Sequence, residues 1–556
     1  MRHRGLAEAA AVLSGALLLT AALTYPLMPK LDRIGRVNSA DGAFAIWNVA
    51  WVADALIVHP RQLFDANIFY PDKRTLAYSE ANIGAGVIAL PAWGLTGNPY
   101  LAHNSVVVFA FVMAAAGAYY LVRYLSGSRE AAAVSAVLFA FCPFIFARTA
   151  HIQLLMTFGL PFSLLAFHRL VDHPTAPRAI ALGVVLWVQA LSCAYYGIFA
   201  GLMVGLGTMY FAGSRRLWRS PKYCGVIALA AAVALGLTAP FFMPYVQVQQ
   251  DGFARTLDDA RAYSANAGAW LASSAWAHRW WLPAIEGFSE VLFPGLFLIA
   301  AGLAGAWRAL VRRPPIESAA TTARPGLARD VAGFYGLVAL LAFWASLGPD
   351  AWLYRFLFNT VPVFSFLRAP ARMGILVPLA LVVLASALLG PWLRSRTRPA
   401  AWTAVLVLLA ALELNGAPLT ALRDAPPVPE AYRTLARLPR GAVAEFPYFY
   451  ERPDFPRHAT YMLGSTAHWM PLINGYSDHI PAEWRATVVP LSSFPTREAF
   501  AILGRLNARY AIFHLNGYDR RSREKLLARL QEYERFLRPL VQQDDVWLYE
   551  IVDWPN

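Results

Sequence analysis

The chain has 556 residues, of which 58% are hydrophobic and only 15% charged, with a formal net charge of +14. Soluble domains spend about 25% of their residues on charge, so the composition excludes a soluble globular or disordered protein and points to a polytopic α-helical membrane protein. The positive balance does not point to nucleic acid, because the arginines cluster in short connections between apolar runs, where membrane topology places them. Cys142, Cys193 and Cys224 all sit in or at the edge of apolar runs. Their spacing fits neither a metal site nor a disulfide framework.

A membrane-crossing helix needs roughly 20 mostly apolar residues, and on that basis the chain holds about eleven spans. The first lies near 7–28. Its start resembles a signal peptide with a basic head, but the apolar run is long and further spans follow. It reads as an uncleaved span with Arg2 and Arg4 in the cytoplasm. A large outer loop follows, 29–100. It carries an amphipathic stretch, GAFAIWNVAWVADAL, whose Trp47 and Trp51 share one helix face and read as membrane-interface anchors. Its Gly- and Pro-broken segment IGAGVIALPAWGLTG reads as re-entrant or interfacial. The second to fourth spans lie near 101–124, 130–147 and 153–171. The run from Arg178 to Gly213 is too long for one span and breaks at SCAYYG, Ser192 to Gly197, giving the fifth and sixth. The seventh lies near 223–241, and after a long polar stretch the eighth to eleventh lie near 290–310, 331–347, 374–393 and 400–417.

The arginines test this layout. With the N-terminus inside, the inner connections carry Arg123 with Arg129, then Arg178, then Arg215, Arg216, Arg219 and Lys222. Next come Arg312, Arg313, Arg324 and Arg329, and finally Arg394, Arg396 and Arg398. Each inner connection is basic, as the positive-inside rule requires. An odd number of spans then places the C-terminus outside. Glu317 to Gly326 reads as a flexible inner linker.

The domain division expected is a transmembrane domain over 1–417 and an extracytoplasmic α/β domain over 418–556. In the latter, GAVAEFPYF, ARYAIFHL and VWLYEIV read as strands, while PTREAFAILGRLN and RRSREKLLARLQEYERFL read as helices. Gly-, Pro- and Asn-rich segments separate them. There is no Gly-rich phosphate loop and no metal-ligand spacing.

Several residues have chemistry to offer. Asp41 opens the amphipathic stretch of the first loop, just outside the headgroup plane. Two roles are open to it: a base accepting a proton from a substrate hydroxyl, or the N-cap of the helix. Glu80, in AYSEANIGAG, is either a second acid beside it or an exposed loop carboxylate. Asp54, Asp65 and Asp72 are weaker, the last two lying in turn-like contexts. His103 and Asn104 begin the second span, and Arg148 and His151 follow the third. At an outer face these can meet a phosphate or sugar, or simply be half-solvated anchors. Arg368 and Arg372, in VFSFLRAPARMGIL, lie at the outer mouth of the tenth span, where positive-inside statistics disfavour arginine. They can grip a phosphate or snorkel to headgroups. Asp258, Asp259, Glu286 and Glu290 are further acids of the long outer stretch. The segment INGYSDHIP offers Asn474, Tyr476, Asp478 and His479, either to a sugar or as a Gly-centred covering loop.

This layout resembles the GT-C class of integral membrane glycosyltransferases, here of a bacterial inner (plasma) membrane. The resemblance rests on SADGAFAIWNVAW, on the ANIFYP…YSE segment and on FLRAPAR. It implies transfer of a hexosyl or pentosyl unit from a polyprenyl-phosphate-linked donor to a glycan, lipid or protein acceptor on the extracytoplasmic face. In that class an Asp of the first outer loop acts as base or positions the acceptor, and Asp41 stands in the matching place. A second acid is commonly later in the chain, and Glu80 is the candidate here. A basic residue at the outer face commonly holds the lipid phosphate, which falls to Arg368 or Arg372, with His151, Asn104 and His103 as further substrate-binding candidates. Metal dependence varies within the class, so a divalent metal stays open. The oligosaccharyltransferase-type WWD motif is absent, since Leu282 follows Trp280 and Trp281, which argues against protein N-glycosylation. The competing readings are a lipid-linked-sugar flippase, for which Glu413 is the one clear mid-span charge, and a membrane scaffold for cell-envelope assembly.

Overall fold

The structure is a computed structural model that describes residues 2–250, 255–311 and 327–555. Arg312, Arg313, Arg324 and the expected linker Glu317 to Gly326 lie outside the described residues. The long helices, in chain order, are α1 (Arg2–Leu23), α2 (Ala40–Val58), α3 (Ile83–Thr96), α4 (Pro99–Ser126) and α5 (Arg129–Ala140). They continue with α6 (Gly159–Asp172), α7 (Ala176–Ser192), α8 (Ala194–Ser214), α9 (Pro221–Gln250) and α10 (Leu296–Leu310). The last are α11 (Arg329–Ser346), α12 (Leu376–Arg394) and α13 (Pro399–Leu414). Every expected span has a helix in its place. Among the described residues, seven helices are long and apolar enough to cross a membrane: α1, α2, α4, α5 with its extension to Ala147, α8, α9, and α12 with the turn that precedes it. The protein is a multi-pass helical membrane protein with a small C-terminal sheet.

The chain forms two compact units. One comprises Met1–Pro29, Val106–Met243 and Ala254–Thr420; the other comprises Lys30–Ser105, Pro244–Phe253 and Ala421–Asn556. The first loop therefore folds with the C-terminal segment, where the sequence suggested a single division at 417/418.

In the helical unit α12 is central, with 94% of its apolar window buried. Two glycines of α10 let that helix approach it closely. A Cβ on Gly305 would stand 2.0 Å from the Leu384 carbonyl oxygen, and one on Gly302 would stand 2.8 Å from the Leu381 side chain. Small residues at such crossings allow backbone contact, the main source of helix association where lipid is as apolar as leucine. On the other side Ser135 of α5 donates to the Val382 carbonyl, 3.1 Å. Glu413, read from the sequence as a mid-span charge, closes the end of α13. Its carboxylate accepts the backbone N–H groups of Leu296 and Phe297, the first turn of α10. It also accepts from the buried His278 at 3.1 Å, whose other ring nitrogen meets Ser273 at 2.7 Å. A carboxylate at a helix N-terminus satisfies orphan donors and complements the helix dipole. Glu413 is thus a cap joining two helices.

In the second unit, β3 (Ala442–Phe446), β4 (Ala508–His514), β6 (Val546–Ile551) and β5 (Leu537–Gln543) form a sheet in the order β3-β4-β6-β5. The β3–β4 pair is parallel and the other pairs antiparallel. The expected strands and helices are present, the helices at Arg497–Arg505 and Arg520–Glu532. Strand β5 was not expected, because LRPLVQQ has no clean alternation. A short pair, β1 (Ile34–Gly35) and β2 (Arg423–Asp424), ties the first loop to the C-terminal segment.

The first loop is part of this unit's core. Trp47 is 0% and Trp51 9% exposed. Trp47 donates to Asn67 at 3.1 Å and Trp51 to the Leu63 carbonyl at 3.0 Å, and the Trp51 ring meets Trp469 edge-on. The expectation of interface anchors is corrected here: helical spacing shows that two tryptophans share a face, but not what covers it. The ANIFYP segment is stitched to the C-terminal chain by Asn67 to Ser465 and to the Met470 carbonyl, and by backbone bonds from Phe69 to Asn474 and Tyr70 to Leu472. INGYSDHIP supplies Asn474, and the residues just before it supply the rest. Gly475 is required there, since a Cβ would stand 2.7 Å from the Phe69 ring. Asn474 is spent internally, exchanging two bonds with the Glu445 backbone.

Candidate active site

The helical unit gathers arginines and tyrosines through three local irregularities. Cys193 is extended (φ −159°, ψ 114°) between α7 and α8, so the long apolar run breaks at the expected place. Gly197 permits the tight return, because a Cβ would stand 2.6 Å from the Ala190 Cα. The break presents Tyr195 and Tyr196 in the first turn of α8. Pro370 starts a short 3₁₀ turn, Pro370–Ile375, ahead of α12. Arg368 precedes that turn and Arg372 lies inside it, so a spacing of four does not put them on one α-helical face. Finally, the Tyr263 carbonyl accepts the Ala371 N–H at 3.3 Å, which fixes Tyr263 beside the same turn.

These elements cradle the arginines on aromatic faces. The Arg372 guanidinium lies 4.3 Å from the Tyr195 ring centre and that of Arg368 lies 5.0 Å from Tyr263. The Tyr195 hydroxyl accepts the Arg368 backbone N–H at 2.9 Å. Arg148 joins the group, its side chain only 12% exposed, in an ion pair with Glu290. Burial pulls Arg148 down to about 10, the positive charge of Arg372 pulls it further the same way, and Tyr196 opposes. The two guanidinium groups repel one another, and the Glu290 carboxylate offsets the charge of Arg148. Asp259 feels the same field. It is held below the usual carboxylate range first by the Thr256 N–H, with Arg255 and Arg368 adding to it. Glu290, a candidate acid from the sequence, is engaged as the counter-ion of Arg148. His151 is half-buried just beyond Arg148, its N–H donating to the Arg148 carbonyl at 2.8 Å.

The second unit holds the other candidates. Asp41 is exposed in the first turn of α2, while Ser39 occupies the N-cap position. Asp41 is therefore not the cap. Its charge acts on Arg36, which burial and Arg423 lower from the ordinary guanidinium range and Asp41 raises. Gly42 is needed at this turn, since a Cβ would stand 2.2 Å from the Arg36 carbonyl oxygen. Glu80 is half-buried; its carbonyl accepts from Asn48 at 3.3 Å and the next N–H donates to Tyr245 at 2.8 Å. Asn48 and Asn82 each keep a buried amide oxygen with no partner among the described residues. Asn104 is committed to the fold, its amide donating to the Leu31 and Ile34 carbonyls at 2.8 Å. His103 is buried against it, Nδ1 to Oδ1 3.2 Å. Neither faces an open surface. Asp72, weakly rated from its turn context, is pushed up by burial and by Glu483, with the Tyr78 hydroxyl opposing at 3.4 Å. Among the described residues no three His, Cys, Asp or Glu side chains are placed to hold a metal.

No protein-family profile and no curated protein sequence matches the chain. Solved structures do. The archaeal oligosaccharyltransferase AglB from Archaeoglobus fulgidus, in complex with an inhibitory peptide and a dolichol-phosphate, is 14% identical over 95% of this chain and 72% of its own, with a TM-score of 0.50. The arabinofuranosyltransferase AftD from Mycobacteria is 14% identical over 100% of this chain, with a TM-score of 0.59. This chain spans 41% of the length of AftD. The chain has the GT-C fold of integral membrane glycosyltransferases.

Proposed function

We propose that the protein is a membrane glycosyltransferase that moves a sugar from a polyprenyl-phosphate-linked donor to an acceptor hydroxyl on the extracytoplasmic face of the inner membrane, with its N-terminus cytoplasmic. The observation that carries this reading is Arg368 and Arg372 on tyrosine rings, with Arg148 over the Phe144 ring, on a GT-C fold. Arg372 and Arg368 take the donor phosphate, and the prenyl chain stays in the apolar surroundings of the spans. The role of base for the acceptor hydroxyl goes to Asp41 on the ground of its place at the start of the first loop. The hydroxyl oxygen bonds to the anomeric carbon, the bond from that carbon to the phosphate oxygen breaks, and polyprenyl phosphate departs with the electron pair. Glu80 is the second acid. The sugar is a hexose or pentose, and the acceptor a glycan, lipid or protein.

The flippase reading loses its one support within the spans, because Glu413 serves as a helix cap. The test is transfer of radiolabelled sugar from a panel of polyprenyl-phosphate sugars by purified wild type and Asp41→Asn. Label is expected to leave the donor with the wild type only. Equal transfer by the variant would remove Asp41 from the mechanism. No release from any donor, by folded protein that binds the lipids, would favour a flippase or scaffold.

A further inference from the structure

A cavity of about 680 Å³ lies beside the first span, between α1, α4, α5 and α13. Its deep walls are small and apolar: Ala11, Gly15 and Ala16 of α1, Ala115 of α4, and Ala133 and Ala136 of α5. The space is open, for a Cβ on Gly15 would meet nothing within 4 Å. Lining residues on α1 run from Arg4 to Leu19, which is about 22 Å of helix. The outer face of α1 is open as well, Leu17 being 42% and Leu18 71% exposed.

One end is charged. Glu8 anchors α1 there, accepting from Tyr119 at 2.7 Å and pairing with Arg129 at 2.7 Å and Arg123 at 3.3 Å. Arg4 and Arg129 line the mouth together with Glu8 and Glu130, and Arg123 reaches Glu8 at the same end, so three guanidinium groups meet two carboxylates there. Arg129 remains 56% exposed while paired. This mouth is far from the tyrosine-cradled arginines. Ser128, at the start of α5, packs beside Gly390 near the end of α12, whereas Arg372 stands before the start of α12. The stretch of α12 from Leu376 to Gly390 separates the two by about 21 Å. A donor whose phosphate sits at Arg372 cannot place that phosphate at Arg129.

We infer that this crevice is a binding site for an anionic glycerophospholipid of the leaflet opposite the proposed transfer site, with an acyl chain between α1 and α5 and the phosphate at Arg4 and Arg129. An apolar gap open to the bilayer is filled by chains, because unfilled walls forfeit dispersion contacts. Chain filling alone gives little selectivity, since lipid and protein interior are equally apolar. Selectivity comes from the basic mouth, which favours anionic headgroups. The bound lipid completes the packing of α1, which Glu8 holds at one end.

The test uses the full chain in micelles containing equal amounts of phosphatidylglycerol and phosphatidylcholine, read by native mass spectrometry. Wild type is expected to retain one phosphatidylglycerol with at least about fivefold preference, a fold-change set by the basic mouth. The cavity-filling pair Gly15→Leu and Ala133→Phe loses the retained lipid, and Arg129→Gln with Arg4→Gln keeps a lipid but loses the preference. Wild type retaining no lipid, retaining both lipids equally, or retaining a polyprenyl phosphate in their place would overturn the inference. So would unchanged retention by the filled variant. Should that variant fail to fold, photolabelling of wild type with a phosphatidylglycerol carrying a diazirine on its acyl chain decides the matter. Label must fall on α1 and α5; label confined to other helices contradicts the site.

Discussion

The two ends of the helical unit are both rich in arginine, and they treat it differently. At one end the cations meet carboxylates: Glu8 takes Arg123 and Arg129, and Arg215 holds Asp330 at 2.6 Å and Asp172 at 3.1 Å. At the other end Arg368 and Arg372 rest on tyrosine rings, and Arg372 repels Arg148. A π face attracts a guanidinium without neutralising it, and beside these two Arg148 is paired with Glu290. Counting arginines does not separate the two ends; the aromatic faces that hold Arg368 and Arg372 do.

The sharpest way to break this comparison is to remove one arginine from each end. Arg372→Ala should lower kcat/KM for the donor by about 100-fold, roughly 2.7 kcal/mol of transition-state stabilisation, with melting little changed. Arg372→Lys should recover only part, because an ammonium lacks the planar fork. Arg215→Ala should do the reverse. It leaves two part-buried carboxylates without their cation and should cost about 2 kcal/mol of stability, read by chemical denaturation, with activity per folded molecule retained. Glu413→Gln should cost about 1 kcal/mol, since the first turn of α10 keeps an acceptor but loses the charge facing its dipole.

The smallest effect expected is in the other unit, where Asp72 is an acid whose burial works against its charge. Its folded pKa is raised, so its contribution favours the fold at low pH and is lost as pH rises through the folded value. Asp72→Asn should accordingly be stabilising by less than about 1 kcal/mol at neutral pH, and neutral below pH ~4, where the unfolded carboxyl is also protonated. A pH-independent change would remove the titration account.

Much of this was legible in the sequence because membrane spans announce themselves by length. The break at Cys193 could be read because α7 and α8 together exceed a bilayer. What was not legible depends on residues far apart in the chain. Asn67 bonds to Ser465 and Met470, and no local pattern in ANIFYP says so. The same blindness turned Trp47 and Trp51 into interface anchors and Asn104 into a ligand candidate. Arg368 and Arg372 stand out in the sequence because the expected layout puts them where the positive-inside rule disfavours arginine, while nothing in the spacing of Tyr195 and Tyr263 relates them to the arginines. Arg148 could be read from the sequence as lying at the end of the third span, but not its partner Glu290, which stands on a different segment.

The most direct measurement is equilibrium binding of a polyprenyl phosphate to wild type, Arg372→Ala and Arg215→Ala, each verified as folded. The account predicts that Arg372→Ala loses at least about tenfold in affinity, the loss of one charge-assisted contact, and that Arg215→Ala binds as wild type does. Equal binding by all three, or loss with Arg215→Ala alone, would contradict it.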